Sequence, residues 1–201
     1  MKVRRPHSAR SISVKPLTPA RWPDLERLFG SRGACAGCWC MAYRLTRSRF
    51  ERRKGLPNKR AFRSIVDAGP PPGLIAYIGR EPAGWCALAP RDAYPVLDRS
   101  RVSRRVDDVS AWAVTCFFVA KPFRRTGLSG ELLRAAIAYA ARHGAPALEG
   151  YPVEPAKDWP GTFAWPGLAV VFRAAGFTEI LRRTPARPIM RLTFTDPSRS
   201  R

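Results

Sequence analysis

Two adjoining stretches in the second half of the chain carry its clearest pattern of apolar positions. Residues 111–119 are almost continuously apolar and rich in aromatic and β-branched side chains, which is typical of a central strand covered on both faces. Residues 128–143 repeat apolar side chains at helical spacing, and Gly144 and Pro146 end that pattern. The chain therefore predicts a buried strand, a short loop and an amphipathic helix.

The other apolar runs, separated by glycine and proline, predict the remaining elements. Thr18 is placed to cap a helix at 19–29, and Gly30 to end it. Further helices are predicted at 59–68 and 166–175, the latter with Pro166 in its first turn, and strands at 12–17, 74–79, 84–89, 147–153, 177–183 and 189–194. Irregular connectors are predicted at 31–58 and 92–108. The order β-α-α-β-β-β-α-β-α-β-β predicts one mixed α/β domain.

Basic residues dominate the charge and raise the question of a polyanionic partner. The 201 residues include 30 Arg and 6 Lys against 15 acidic residues, a formal net charge of +21 at pH 7. Such a charge attracts nucleic acid or anionic lipid. Arginine is nevertheless spread along the whole chain, and no basic helix, zinc finger or aromatic RNA-binding signature accompanies it. A compositional bias is therefore the preferred explanation, and nucleic acid is not the expected partner.

The number of cysteines and the composition of the terminal segments indicate the cellular compartment and the limits of the domain. Five cysteines, an odd number, with no apolar signal segment near the N-terminus favour the reducing cytoplasm. No stretch approaches the roughly 20 apolar residues that a membrane span requires, so no membrane partner is expected. We expect disordered tails at 1–10 and 196–201 around one domain at 11–195, in a monomer or a homodimer.

The loop between the predicted central strand and its helix has the features of a phosphate site. Gly127 and Gly130 lie at the turn, where glycine permits a positive φ and close approach of a ligand. The first amides of the helix have no intrahelical partner, and the helix dipole adds positive potential. Neither a G-x-x-x-x-G-K-[ST] loop nor a dinucleotide G-x-G-x-x-G is present. The pattern that fits is R-x-x-G-x-[GA], filled by Arg124, Gly127 and Ser129.

Residues 114–133 resemble the acetyl-CoA motif of the GNAT acetyltransferase superfamily, although Ser129 stands where that family often has Gly or Ala. Residues 172–177 are similar to the family's aromatic-x-x-x-Gly-Phe helix ending. The resemblance implies a single-domain GNAT fold, with a mixed central β-sheet flanked by helices on both faces. It also implies an acetyl-CoA-dependent N-acetyltransferase without a metal. Its cofactor-binding residues would be Phe117, Phe118, Val119, Arg124, Arg125, Thr126, Gly127, Leu128, Ser129 and Gly130.

In such a family the acceptor amine attacks the thioester directly in a ternary complex, after losing a proton. The candidate catalytic groups are Glu149, Tyr151 and Glu154, beside the strand after the motif helix; Asp107 and Asp108, before the central strand, are further candidate bases. Many relatives place a tyrosine, which protonates the leaving thiolate, where this chain has Phe172. Catalysis without a direct base, through water, therefore stays open, and so does a covalent route through Cys116.

The segment 33–44 contains a C-x-x-C-x-C run, which supplies three soft ligands close together. A fourth ligand is not evident, because His7 and His143 are distant in sequence, so no metal is expected; a redox pair is equally weakly supported. The run resembles a Cys-Trp-Cys-Met subgroup of the family whose acceptor is unassigned. The resemblance implies an acceptor pocket walled by Trp39, Met41 and Tyr43, with Arg44 binding an acidic group. The alternative is that these aromatic side chains only fill the core.

The sequence thus favours transfer of an acetyl group to an amine on a small molecule or a protein. Two alternatives remain: a domain that binds acyl-CoA without transferring it, which Phe172 keeps open, and a basic nucleic-acid-binding module. The residues do not identify the acceptor amine.

Overall fold

The computed structural model describes residues 11–155 and 165–194; the tails expected at 1–10 and 196–201 lie outside them. The strands are β1 (Ile12–Pro16), β2 (Gly73–Ile78), β3 (Glu81–Pro90), β4 (Trp112–Val119), β5 (Ala147–Gly150), β6 (Thr178–Arg182) and β7 (Pro188–Thr193). The α-helices are α1 (Trp22–Phe29), α2 (Arg47–Arg52), α3 (Leu56–Ala68), α4 (Pro95–Arg99), α5 (Leu128–Arg142) and α6 (Ala169–Ala174).

The strands form one seven-stranded sheet in the order β1-β2-β3-β4-β5-β7-β6. All neighbours are antiparallel except β4 and β5, which pair in parallel. That pairing covers only Trp112–Val114 and Leu148–Gly150, so residues 115–119 of β4 continue without a partner in β5. A bulge lies at the first of these residues: Ala87 pairs with Cys116 and Leu88 with Val114, which leaves Thr115 as the extra residue. The sheet therefore opens beside the C-terminal half of β4.

Helices cover both faces of the sheet, as the sequence predicted. On one face, α5 and α6 bury Leu128, Leu132 and Phe172 against β2, β3 and β4. Gly84 of β3 permits this packing, because a Cβ there would meet the side chains of Leu132 and Leu128 at 3.0 and 3.1 Å. On the other face, α1, α3 and the cysteine-containing loop form a second core that is rich in aromatic rings: Trp22, Phe29, Trp39, Phe62 and Trp85.

Several predicted boundaries differ from the structure. Thr18 makes no side-chain cap, and a 3-10 turn at Pro19–Arg21 precedes α1. The connector expected at 31–58 contains α2 and the start of α3, and the one expected at 92–108 contains α4. The last helix begins at Ala169 and not at Pro166. The short helices were missed because one or two turns give too few positions for an apolar period.

Among the helices in the described part of the chain, none combines the length and apolar character needed to cross a bilayer.

Candidate active site

The loop between β4 and α5 folds back on itself through two left-handed residues. After Val119 the chain makes a 3-10 turn at Lys121–Phe123. Arg125 then has φ 64° and Gly127 has φ 81°, and α5 begins at the next residue. A Cβ built on Gly127 would meet nothing within 4 Å, so there is space for a side chain. Glycine is therefore favoured at this position by the left-handed backbone conformation and not by crowding.

Five consecutive backbone amides of this loop, from Arg125 to Ser129, donate no hydrogen bond to any described residue. The next amide, of Gly130, donates to the Gly127 carbonyl at 2.9 Å and is therefore occupied, although the sequence suggested that it would join the others. Successive free N–H groups at a helix N-terminus form a concave anion site to which the helix dipole adds positive potential. Such an arrangement of amides can hold a phosphate or pyrophosphate.

Side chains around the loop hold its shape and add charge. The Nε of Arg124 donates to the Val119 carbonyl at 3.2 Å, and the Thr126 hydroxyl donates to the Phe123 carbonyl at 2.7 Å. Arg125 is exposed and makes no ion pair with a described residue. Both arginines can therefore face an anion bound at the free amides.

The unpaired half of β4 presents backbone donors to the opening in the sheet. The amide of Phe117 points there and donates to the Trp165 carbonyl at 2.6 Å. The amide of Ala120 donates to the Ala83 carbonyl of β3 at 3.0 Å. Because successive amides alternate in direction along a strand, the amide of Val119 points away from β3 and toward the opening. Within the described residues the Val119 amide has no acceptor. The opening thus carries one occupied and one free donor.

A cavity of about 280 Å³ lies on the aromatic face of the sheet, against this half of β4. Its lining combines β3, β4, the cysteine-containing loop, α2 and Trp165, whose ring packs 5.6 Å from that of Tyr43. The lining residues are Phe29, Ala34, Cys35, Ala36, Cys38, Cys40, Ala42, Tyr43, Phe50, Lys54, Trp85, Ala87, Thr115, Cys116, Phe117, Phe118 and Trp165. Lys54 is the one charged side chain among these described lining residues.

The structure separates the four residues that the sequence grouped as an acceptor pocket. Tyr43 lines the cavity, and burial raises the pKa of its phenol to about 12. Trp39 and Met41 do not; both are buried in the core between α1, α3 and the sheet. Arg44 turns away, with its guanidinium stacked 4.6 Å from the ring of Tyr94. The aromatic loop therefore serves partly as core and partly as cavity wall.

Four cysteines border the cavity. Burial raises the pKa of the Cys38 and Cys40 thiols, so both are protonated near neutral pH. Cys116 lies on β4 itself and is half-buried. Within residues 11–155 and 165–194, no group of three or more His, Cys, Asp or Glu side chains is arranged to hold a metal ion.

The predicted catalytic pair Glu149 and Tyr151 is buried in an ionic network and does not line the cavity. Tyr151 donates to Glu149 at 2.5 Å, and Arg191 donates to the other carboxylate oxygen at 2.6 Å. Arg91, which is 2% exposed, donates to the Tyr151 hydroxyl at 3.0 Å. Burial, followed by the charge of Glu149, raises the pKa of Tyr151 well above its ordinary value. Asp107, named as a base, instead pairs with Arg191 at 2.7 Å.

Glu154 is held by two arginines on the surface. Its carboxylate pairs with Arg173 and Arg182, both at 2.5 Å. These hydrogen bonds, that of Arg173 first, lower the pKa of Glu154 to about 2. A carboxylate with so low a pKa is a weak proton acceptor at neutral pH.

Phe172, at the position where the resemblance led us to expect a tyrosine, is fully buried. Its ring occupies space left by two glycines: a Cβ at Gly150 would overlap the ring, and one at Gly167 would lie 2.7 Å from it. It also packs edge-on against Phe117 at 6.1 Å. The position therefore supplies no proton donor.

The sequence analysis did not single out several cavity residues, among them Phe50, Lys54, Thr115 and Trp165. Phe50 is the single apolar residue in a basic stretch, which gives no periodic pattern. Thr115 stands within an uninterrupted strand pattern, and only the pairing with β3 reveals the bulge. Trp165 comes to β4 from about fifty residues away in sequence, and no local signal predicts such a contact.

Comparisons with known proteins agree on one family. The model of the acetyltransferase (GNAT) family matches residues 39–155. A GCN5-related N-acetyltransferase from Kribbella flavida superimposes with a TM-score of 0.56 at 18% identity, covering 93% of this chain and 100% of that chain. PaiA N-acetyltransferase from Thermoplasma acidophilum, in complex with coenzyme A, gives 0.51 at 14% identity, with 92% and 99% covered. A GNAT-family acetyltransferase from Listeria monocytogenes gives 0.56 at 11% identity, with 91% and 95% covered. No curated protein matches the chain in sequence.

Proposed function

The chain belongs to the GNAT family of acetyltransferases, and from that premise we propose how it transfers an acetyl group from acetyl-CoA to an amine. The pyrophosphate of acetyl-CoA binds at the loop between β4 and α5, and the amine enters the cavity beside β4. Acetyl-CoA supplies the acetyl group as a thioester. The two sites meet where β4 and β5 separate.

One observation carries the cofactor assignment. The five consecutive free amides from Arg125 to Ser129 match the need of a pyrophosphate for several donors on one side. Arg124 and Arg125 add positive charge from side chains, while Leu128 anchors α5 in the core. The free amide of Val119 and the strand edge around Phe117 and Phe118 are suited to hold the pantetheine arm.

On the acceptor side, the residues of this chain position an uncharged amine. No carboxylate belongs to the described lining, and the buried thiols of Cys38 and Cys40 stay protonated. The amine nitrogen forms the amide bond as the carbon–sulfur bond breaks, and the amine proton passes through water to solvent or to the departing sulfur. The Phe117 amide is placed to bind the carbonyl oxygen, which requires the Trp165 carbonyl to release it.

Glu149 and Tyr151, the catalytic candidates from sequence, are better suited to position the junction of β4 and β5. Each is fixed by buried hydrogen bonds, and Glu149 faces Ala113 of β4 in the parallel pairing. Glu154 is similarly committed to its two arginines. We propose that proton transfer uses water in the cavity and none of these three groups as a direct base.

The remaining assignments rest on sequence. We propose that the catalytic domain spans 11–195 and works in the cytoplasm. Cys35, Cys38, Cys40, Cys86 and Cys116 are all free thiols, which is compatible with a reducing compartment.

Binding of acetyl-CoA to two variants at one position tests the cofactor site. Asp and Asn have the same size and both tolerate a left-handed φ, so Gly127→Asp and Gly127→Asn differ in charge alone. The Asp carboxylate faces the pyrophosphate and weakens binding by about 1–2 kcal/mol, roughly 5- to 30-fold, relative to Asn. Isothermal titration measures both. Equal affinities of the two variants for acetyl-CoA would place the pyrophosphate elsewhere.

A further inference from the structure

The residues that line the cavity beside β4 come from chemically different parts of the chain. β4 contributes the uncharged residues Thr115, Cys116 and Phe118, beside the opening in the sheet where we place the thioester. The helix α2 and the turn after it contribute Phe50 and the charged Lys54. A molecule that fills the cavity can therefore contact both sets of residues.

Most of the cavity lining is apolar, and the cavity has room for one ring. Its walls are aromatic rings, alanine methyl groups and thiols, of which those of Cys38 and Cys40 stay protonated. At about 280 Å³ it is slightly below the roughly 300–1,000 Å³ range of pockets that hold drug-sized ligands. A benzene ring with a short side chain suits this volume, whereas a long polyamine or a protein side chain with its backbone leaves the apolar walls poorly covered.

The stretch that contributes Lys54 to the cavity lining is strongly basic. Residues 47–54 include five basic residues, Arg47, Arg49, Arg52, Arg53 and Lys54, and one acidic residue, Glu51. All are exposed, and the four arginines make no ion pair with any described residue. The Lys54 ammonium pairs with Glu51 at 2.5 Å and lies 5.6 Å from the centre of the Phe50 ring. The net positive charge of this stretch attracts an anion and repels a polycation.

The strand residues of the lining have the opposite character. None of the described lining residues from β3 or β4 is charged, and the carboxylates of Glu149 and Glu154 are paired with arginines outside the described lining. Among the described residues of β3 and β4 that line the cavity, no side chain carries a charge that would bind an ammonium ion or a carboxylate beside the reacting amine. An α-amino acid therefore fits poorly, because its carboxylate would lie against these uncharged residues.

We propose that the acceptor is a small arylalkylamine with a carboxylate at the end remote from its amino group. Its uncharged amine meets the thioester at β4, its ring packs against the apolar lining, and its carboxylate pairs with Lys54 and the arginines of α2. The amide bond forms as the carbon–sulfur bond breaks, and the amine proton leaves through water. This inference rests on the proposed function and names its substrate class.

Four probe amines, each assayed by release of free CoA, test the proposal: 4-(2-aminoethyl)benzoate, 2-phenylethylamine, phenylalanine and spermidine. We expect 4-(2-aminoethyl)benzoate to have the highest kcat/KM, about fivefold above 2-phenylethylamine, as one favourable exposed charge pair provides. Phenylalanine and spermidine fall below both. The double variant Arg52→Gln/Lys54→Gln removes the fivefold preference, because kcat/KM for 4-(2-aminoethyl)benzoate falls to that for 2-phenylethylamine. Arg142→Gln, on the remote end of α5, keeps the preference and serves as the matched control.

The outcomes separate this inference from the function on which it rests. Equal turnover of 4-(2-aminoethyl)benzoate and 2-phenylethylamine, or preference for spermidine, overturns the acceptor class while the enzyme stands. Retention of the fivefold preference in the double variant overturns the role of α2. If acetyl-CoA binds but no amine in a wider panel promotes CoA release, the proposed function itself has failed.

Discussion

Replacing Glu149 by glutamine distinguishes a positioning carboxylate from a catalytic base. The side chain of Glu149 is 4% exposed and accepts hydrogen bonds from Tyr151 and Arg191. The Nε atom of Arg91 lies 3.3 Å from the same carboxylate. Glutamine keeps the shape of the side chain and removes the negative charge that faces the guanidinium groups of Arg91 and Arg191.

The expected loss of unfolding free energy depends on which carboxylate partners Arg91 and Arg191 retain. Losing one partner of a buried ion pair costs about 3–5 kcal/mol. Here Arg91 keeps Asp98 and Arg191 keeps Asp107, both of which are about two-fifths exposed. We therefore expect the lower end of that range, about 3 kcal/mol. In a chain of this size, a loss of about 3 kcal/mol lowers Tm by about 6–12 °C.

Thermal unfolding and steady-state kinetics on the same preparation provide the assay. Below the lowered Tm, kcat should stay within about threefold of the wild type, since removing a true general base costs about 100-fold or more. Glu154→Gln is the control, because that exposed carboxylate also pairs with two arginines but lies outside the buried network. An unchanged Tm together with a 100-fold loss of kcat would refute this reasoning and make Glu149 the base.

Two further substitutions test the packing and the route of transfer. Gly150→Ala places a methyl group onto the buried Phe172 ring and should destabilise the fold by about 1–3 kcal/mol. Adding Phe172→Leu should recover part of this stability. Urea unfolding measures both variants, and an unchanged midpoint for Gly150→Ala would show that the ring is not confined. Cys116→Ala should retain kcat within about threefold, because direct attack needs no thiol; loss of activity together with trapping of an acetylated wild-type thiol by mass spectrometry would establish the covalent route instead.

The sequence predicted those features that local patterns encode. The apolar run of β4 and the helical spacing of α5 located both elements to within one residue. Between them, Gly127 marked a left-handed turn with helix amides beside it. These signals lie within about thirty residues of one another and depend on backbone preferences, so they need no knowledge of the tertiary fold.

The acceptor side depends on contacts that no local pattern encodes. Glu149 looked available as a base because its partners, Arg91 and Arg191, lie about 58 and 42 residues away in sequence. Trp39 and Tyr43 are only four residues apart, yet one fills the core and the other lines the cavity. Their separation follows from the left-handed backbone at Trp39 and Cys40, which redirects the chain and could not be inferred from composition.

Release of free CoA together with formation of the acetylated amine is the most direct measurement of acetyl transfer. The purified protein is incubated with acetyl-CoA and 4-(2-aminoethyl)benzoate or 2-phenylethylamine, and thiol and product are quantified together by absorbance and mass spectrometry. We predict equal amounts of free CoA and acetylated amine. At limiting acetyl-CoA, the rate for Gly127→Asp should be roughly 5- to 30-fold below that for Gly127→Asn. Saturable acetyl-CoA binding without amine-dependent release of CoA, across a broad amine panel, would contradict the account and identify a domain that binds acyl-CoA without transferring it.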